Sequence, residues 1–163
     1  MELQQADKIA AAVIERLKPF WSRIEVAGSV RRRKPLVNDI DLVLIASDPW
    51  GLDAMLSAMG EVRMNGAKIQ RVRTVAIDLD IYFATPETWA TLLLIRTGST
   101  KNNIRLCGIA KSKGMHLHAD GSGLFLITTC EVGTPREDRI AGDTEESIYQ
   151  ALGLKYQEPW ERN

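Results

Sequence analysis

Asp39 and Asp41 stand two residues apart at the head of an apolar run, Leu42-Val43-Leu44-Ile45. The run reads as a buried β-strand, on which residues i and i+2 point to the same face. Two carboxylates on one face repel each other and call for a cation. Mg²⁺, which takes hard oxygen ligands, suits them. Upstream, Gly28-Ser29 closes an earlier strand at 24–27. A glycine there lets the backbone approach a ligand, and Ser29 can donate a hydrogen bond to phosphate. Arg31, Arg32, Arg33 and Lys34 follow at once. Paired carboxylates, a small phosphate-facing turn and adjacent arginines together describe a site for a metal-bound triphosphate.

The elements that must hold these groups are legible in the pattern around them. Apolar spacing at Ile9, Val13 and Leu17 predicts an amphipathic helix over 3–17, closed by Pro19. Asp48-Pro49 reads as an N-cap followed by proline at the first helical position, with Gly60 as the stop. Asn65-Gly66, between 61–63 and 68–72, signals a hairpin with a primed turn. An alternating strand over 74–83 follows, bearing Asp78 and Asp80 on one face. If it lies beside the Asp39/Asp41 strand, it brings a third carboxylate to the metal site, and spacing alone leaves open which of the two. Composition changes at Ala84-Thr85-Pro86, the predicted boundary between two subdomains. Beyond it we expect a helix capped by Thr85 and running through Arg96, a turn at Gly98-Ser99, and a second helix ending near Gly114. A β-like stretch over 117–130, a loop, and a last helix complete the chain, the helix with Asp143 as N-cap, Glu146 completing a capping box and Gly153 as stop.

With 163 residues the chain suffices for one compact unit or two small subdomains, and its 45% hydrophobic and 26% charged residues are ordinary for a globular protein. It has no apolar run of membrane-spanning length and no signal-peptide pattern. Two cysteines, Cys107 and Cys130, read as buried small hydrophobes in a reducing, cytoplasmic setting. The net charge of zero conceals an asymmetry: 88–119 contains no acidic residue but holds Arg96, Lys101, Arg105, Lys111 and Lys113. Such a segment in a neutral protein implies a localised polyanion contact, against the alternative of a solvated helix face.

The chain resembles the polymerase-beta-like (family X) DNA polymerases of the nucleotidyltransferase superfamily. The resemblance runs in order through Val26-Ala27-Gly28-Ser29-Val30-Arg31-Arg32, Asp39-Ile40-Asp41, Asp80, Thr97-Gly98-Ser99, Asn103-Ile104-Arg105, Arg139 to Glu146, and Ala151-Leu152-Gly153-Leu154 with Pro159. It implies an α+β fold: a nucleotidyltransferase palm of mixed β-sheet and helices at 1–84, and at 85–163 a small α/β subdomain that contacts nucleotide and DNA. It implies catalytic, metal-binding roles for Asp39, Asp41 and Asp80, with two Mg²⁺ ions, Mn²⁺ being the alternative. Between Asp78 and Asp80 the family spacing selects Asp80, leaving Asp78 to pair with a nearby arginine. Nucleotide contacts fall to Gly28, Ser29, Arg32, Gly98, Ser99 and Asn103, and DNA contacts to Arg105, Lys101 and Lys111. The implied activity is DNA-directed synthesis from dNTPs on a primer–template or gapped DNA in repair.

The chain also departs from the family pattern. The helix-hairpin-helix region and lyase module that precede the palm in relatives have no counterpart in these residues. Weak, salt-sensitive DNA binding and distributive synthesis are therefore expected, as is no lyase activity. A repair partner could supply the missing grip, though no residue here identifies one. Ile95-Arg96 replaces the aromatic pair that polices the sugar 2′-position, implying that rNTPs are accepted too. Asn38 replaces a glycine at a turn where left-handed backbone is tolerated by Asn.

Two other enzyme or binding classes compete: a template-independent or RNA-modifying nucleotidyltransferase, and a non-enzymatic nucleic-acid-binding module. The basic second subdomain favours templated work, and the intact aspartates favour catalysis. His116 and His118 have no cysteine or carboxylate at ligand spacing, and so are set aside as a zinc site. Trp21, Trp50, Trp89 and Trp160 are scattered and read mostly as core or subdomain-interface residues.

Overall fold

The computed structural model describes residues 1–129 and 134–163; Cys130 lies outside them. The chain divides into Met1–Pro86 and Glu87–Asn163, and each unit has its own core.

In the first unit, α1 (Leu3–Leu17) buries Ala6, Ala10, Val13 and Leu17 at helical spacing. The strand β1 (Trp21–Val26), the one-turn helix α2 (Gly28–Arg31), β2 (Asp39–Ala46), α3 (Pro49–Met59), the β3 (Glu61–Asn65)–β4 (Ile69–Arg73) hairpin and β5 (Asp78–Phe83) follow. The strands form a five-stranded sheet in the order β1-β2-β5-β4-β3. The β2–β5 pair is parallel and its neighbours are antiparallel, so the sheet is mixed. Alternation sorts the two faces. Ile40, Leu42, Leu44, Leu79 and Ile81 enter the core with Val13, Leu17, Leu52 and Leu56. Asp39, Asp41, Asp78, Asp80 and Tyr82, one residue out of phase, fall on the opposite face.

Local chemistry explains most boundaries. Asp48 caps α3 by accepting from Gly51 N at 3.0 Å. The hairpin forms as expected, but through residues 66–68 and without positive φ at Asn65 or Gly66, so its turn is not of the primed type. The strand predicted over 74–83 starts only at Asp78. Thr74 Oγ1 accepts from Ala76 N and Ile77 N and donates to Ile77 O, folding 74–77 into a side-chain-held turn.

The second unit opens with α4 (Trp89–Thr97), preceded by Thr88 rather than Thr85. Ser99 then caps α5 (Thr100–Ser112) by accepting from Asn102 N at 3.1 Å. β6 (Met115–His118), β7 (Gly123–Thr129) and β8 (Pro135–Ala141) form an antiparallel sheet in chain order. The stretch read as a loop is thus partly β8, whose run Pro-Arg-Glu-Asp-Arg is too charged to signal a strand. α6 (Glu145–Ala151) is capped by Thr144 with Ser147, one residue on from the expected Asp143 and Glu146. Asp143 instead takes Arg139 Nη1 at 2.7 Å.

Leu94, Ile95, Leu106, Leu117, Leu124 and Ile148 build this core. At its edge Arg162, 0% exposed, donates Nη1 to Glu145 Oε1 at 2.8 Å and Nη2 to the Tyr156 hydroxyl at 2.9 Å. Burial opposes the Arg162 charge, yet the hydrogen bond and attraction of Glu145 hold its pKa above the ordinary arginine value. The Arg162 carbonyl accepts from Ser99 N at 3.0 Å, so the C-terminal segment holds the Gly98-Ser99 turn. Cys107 is exposed on α5, against the expectation of burial; of the tryptophans, Trp89 is buried and Trp21 packs against the first core, while Trp50 and Trp160 are exposed. Among the described residues, no helix is long and apolar enough to cross a membrane.

Candidate active site

The polar face of the first sheet carries two cross-strand rows. Asp41 on β2 lies opposite Asp80 on β5, which lies opposite Arg71 on β4; one step along, Asp39, Asp78 and Arg73 repeat the arrangement. Residues in register on adjacent strands share a face, so the condition for a third carboxylate is met. Arg73 takes Asp78 through Nε and Nη2, both at 3.2 Å. Asp78 is thus held in the arginine pair expected of it, its pKa kept low by that hydrogen bond. Asp80 is buried, accepting from Arg71 Nε at 3.0 Å and from the Tyr82 hydroxyl at 3.3 Å.

The electrostatics single out Asp41. Burial first, then repulsion from Asp39 and Asp80, pushes its pKa up to about 7. Burial also lifts the Asp80 carboxyl, opposed by Arg71. Arg32 feels the converse: burial lowers its pKa while Asp41 and Asp39 pull it back up. The Asp41 and Asp80 carboxylates, raised in cost by burial and by neighbouring Asp39, would be relieved by a divalent cation with oxygen preference, so Asp39, Asp41 and Asp80 fit Mg²⁺ or Mn²⁺.

The turn of Gly28 and Ser29 abuts this row. Ala27 N donates to Asp41 O at 2.8 Å, tying the turn to β2. Gly28 has φ +56, and a Cβ built there would fall 1.7 Å from Asp41 Oδ2. The glycine is needed because a protein carboxylate occupies the space, a different partner from the ligand expected at the sequence level. The Ser29 hydroxyl is buried with no hydrogen-bond partner, a donor suited to a phosphate oxygen. Arg33 adopts φ 57 and is the only non-glycine with positive φ among the described residues, so Asn38 does not take the left-handed conformation.

The remaining expected contacts lie in the second unit. A Cβ on Gly98 would meet Asn103 Oδ1 at 2.3 Å. Asn103 donates Nδ2 to Ile95 O at 2.8 Å, leaving Oδ1 buried without a partner. Arg105 donates to Asn102 Oδ1 at 3.0 Å and to Gln157, so its guanidinium is already engaged within the unit. Lys101 and Lys111 are exposed on α5. Sequence reasoning missed Arg71 and Tyr82 as neighbours of Asp80; Arg71 and Arg73 at alternate positions were the available signal. It also missed Glu137, which pairs with both His116 and His118 from a strand not foreseen. A cavity of about 470 Å³ lined by Trp50, Asp53, Asn65, Gln70 and Phe83 involves none of the three aspartates.

The architecture defines the class first: the whole chain has the polymerase-beta fold. It is similar over its full length to two solved structures of Leishmania infantum polymerase beta, a ternary P/T complex and a ternary gap complex. Each superposes with TM-score 0.81 at 20% identity, and the match spans 76% and 70% of those chains respectively. Residues 92–163 match the family model of the DNA polymerase beta thumb. The polymerase-beta-like resemblance is thereby borne out by the fold of the whole chain and by the thumb-domain model that its C-terminal residues match.

Proposed function

We propose that the chain is a metal-dependent nucleotidyltransferase, a family X DNA polymerase that fills short gaps by adding nucleotides to a primer 3′-hydroxyl. The observation that carries this reading is the placement of Asp39, Asp41 and Asp80 on one sheet face, beside the buried, unpartnered Ser29 hydroxyl, within a polymerase-beta fold.

In this mechanism the primer 3′-oxygen attacks the α-phosphorus, the bond to the β-phosphate oxygen breaks, and pyrophosphate leaves. Asp39, Asp41 and Asp80 would hold divalent ions, which when bound would supply Lewis acidity at the primer hydroxyl and at the leaving oxygen. Ser29 donates its hydroxyl hydrogen to a phosphate oxygen. Arg32 places its cation against the triphosphate, where negative charge grows as pyrophosphate departs. Gly98, Ser99 and Asn103 are proposed to contact the nucleotide, and Lys101, Arg105 and Lys111 the DNA backbone. DNA as partner is supported by the P/T and gap complexes among the similar structures.

The test is primer extension in Mg²⁺ on a one-nucleotide gap and on a single strand, with each dNTP and rNTP supplied separately. Templated addition at the gap is the expected result. Indiscriminate addition to single strands would make the chain a terminal transferase. Incorporation of rNTPs alongside dNTPs is expected from Ile95-Arg96, and a preference for dNTPs by several orders of magnitude in kcat/KM would overturn that point. The Asp41→Asn variant should lose catalysis by orders of magnitude yet retain DNA binding. Parallel loss of folding and binding would assign Asp41 a structural role instead.

A further inference from the structure

We propose that His116, His118 and Glu137 form a binding site for one zinc-class transition-metal ion on the outer face of the C-terminal sheet, separate in residues and in chemistry from the aspartate centre. His116 and His118 alternate with buried Leu117 on β6 and so project from the same, solvent-facing side. Glu137 comes from β8, on the far side of β7. Its two oxygens divide between the imidazoles: Oε1 lies 3.5 Å from His116 Nδ1 and Oε2 lies 3.0 Å from His118 Nε2. One ligand atom from each of the three residues lies within 4.8 Å of the others, the only such His/Cys/Asp/Glu trio among the described residues. Ligands around a tetrahedral Zn²⁺ at about 2.0–2.1 Å sit about 3.3 Å apart, so gathering them needs movement of side-chain tips and not of strands.

The trio is held in place by its surroundings. The two rings stack at 4.0 Å between centroids, and His118 also meets the Phe125 ring edge-on at 4.9 Å. Neighbouring cations on β8 are turned elsewhere: Arg136 pairs with Asp138 at 2.9 Å and Arg139 with Asp143 at 2.7 Å. Two imidazoles and one carboxylate suit zinc, nickel or copper, whereas Mg²⁺ takes oxygen ligands. Three protein ligands leave a fourth position to water. A bound ion would join β6 to β8 across β7.

The experiment is calorimetric titration of the intact chain with ZnCl₂ under saturating Mg²⁺, with Co²⁺ absorption as a second readout. One equivalent is expected to bind, with a rise in Tm and a Co²⁺ spectrum of nitrogen and oxygen ligation. His118→Asn and Glu137→Gln should each weaken binding at least tenfold and abolish the Tm shift. The Asp39→Asn/Asp41→Asn double variant should bind zinc unchanged. If His118→Asn loses its fold by circular dichroism, the exposed His116→Gln serves in its place. Absence of saturable binding, binding that survives these histidine and glutamate changes, or binding lost with the two aspartates would each overturn the assignment.

Discussion

The Cβ that Gly28 lacks would lie 1.7 Å from Oδ2 of Asp41, so the turn and the metal-site strand share one volume. Their separation in sequence is closed by α2 and by the bond from Ala27 N to Asp41 O. The small residue at position 28 and the carboxylate at position 41 are therefore a single steric unit.

Gly28→Ala tests that unit. Left-handed backbone costs a non-glycine residue about 1–2 kcal/mol, and overpacking adds about 1–3 kcal/mol. Urea denaturation should show a loss in the sum of these ranges, and nucleotide incorporation should fall because Asp41 must move. An unchanged unfolding midpoint would mean that the turn is free to relax.

The raised pKa of Asp41 makes the ion-free protein sensitive to pH. Its folded value of about 7 exceeds the unfolded value of 3.8, so between those values the folded state binds more protons and stability falls as pH rises. The penalty is absent below pH 3.8 and complete above about pH 7, and is on the order of 4 kcal/mol. Thermal melts in a chelator should show this decline. Asp41→Asn should flatten it and melt higher at neutral pH, while added Mg²⁺ should restore the wild type.

Arg71 competes with any cation for Asp80, through its 3.0 Å bond and its charge. Arg71→Met removes both forms of competition. The Mg²⁺ concentration giving half-maximal incorporation is expected to drop by about threefold to tenfold, since one surface-facing charge at hydrogen-bond range is worth about 1 kcal/mol. A rise in that concentration would show that Arg71 instead orients Asp80 for binding.

The buried Arg162–Glu145 pair should be costly to halve. Arg162→Met or Glu145→Gln leaves one charge stranded, a loss of about 3–5 kcal/mol by chemical denaturation. Changing both together should cost less than the two added, a coupling that a double-mutant cycle reads directly. Arg162→Met keeps the backbone carbonyl that holds Ser99 N but removes the side-chain bonds that anchor it, so it is further expected to raise the KM for nucleotide.

The carboxylate pair Asp39/Asp41, the α1 stripe, the Asp48 cap and the 61–73 hairpin all follow from short-range rules, periodicity and capping, which act within a few residues. The fold class was accessible for the same reason, once the ordered motifs were set beside polymerase-beta-like proteins. Neighbouring partners across strands were not. That Asp80 faces Arg71 while Asp78 faces Arg73 depends on the register of β4 against β5, and a slip of one residue would exchange the faces. Glu137 reached His116 and His118 only because a charged stretch, unremarkable as a strand, pairs with β7. The Thr144 cap and the inward course of Arg162 likewise depend on packing, since burying a charged side chain is favourable only where Glu145 and the tyrosines already await it. Residue types and spacing thus named the chemistry of the aspartates, whereas strand register and burial chose the company each one keeps and the proton affinity that results.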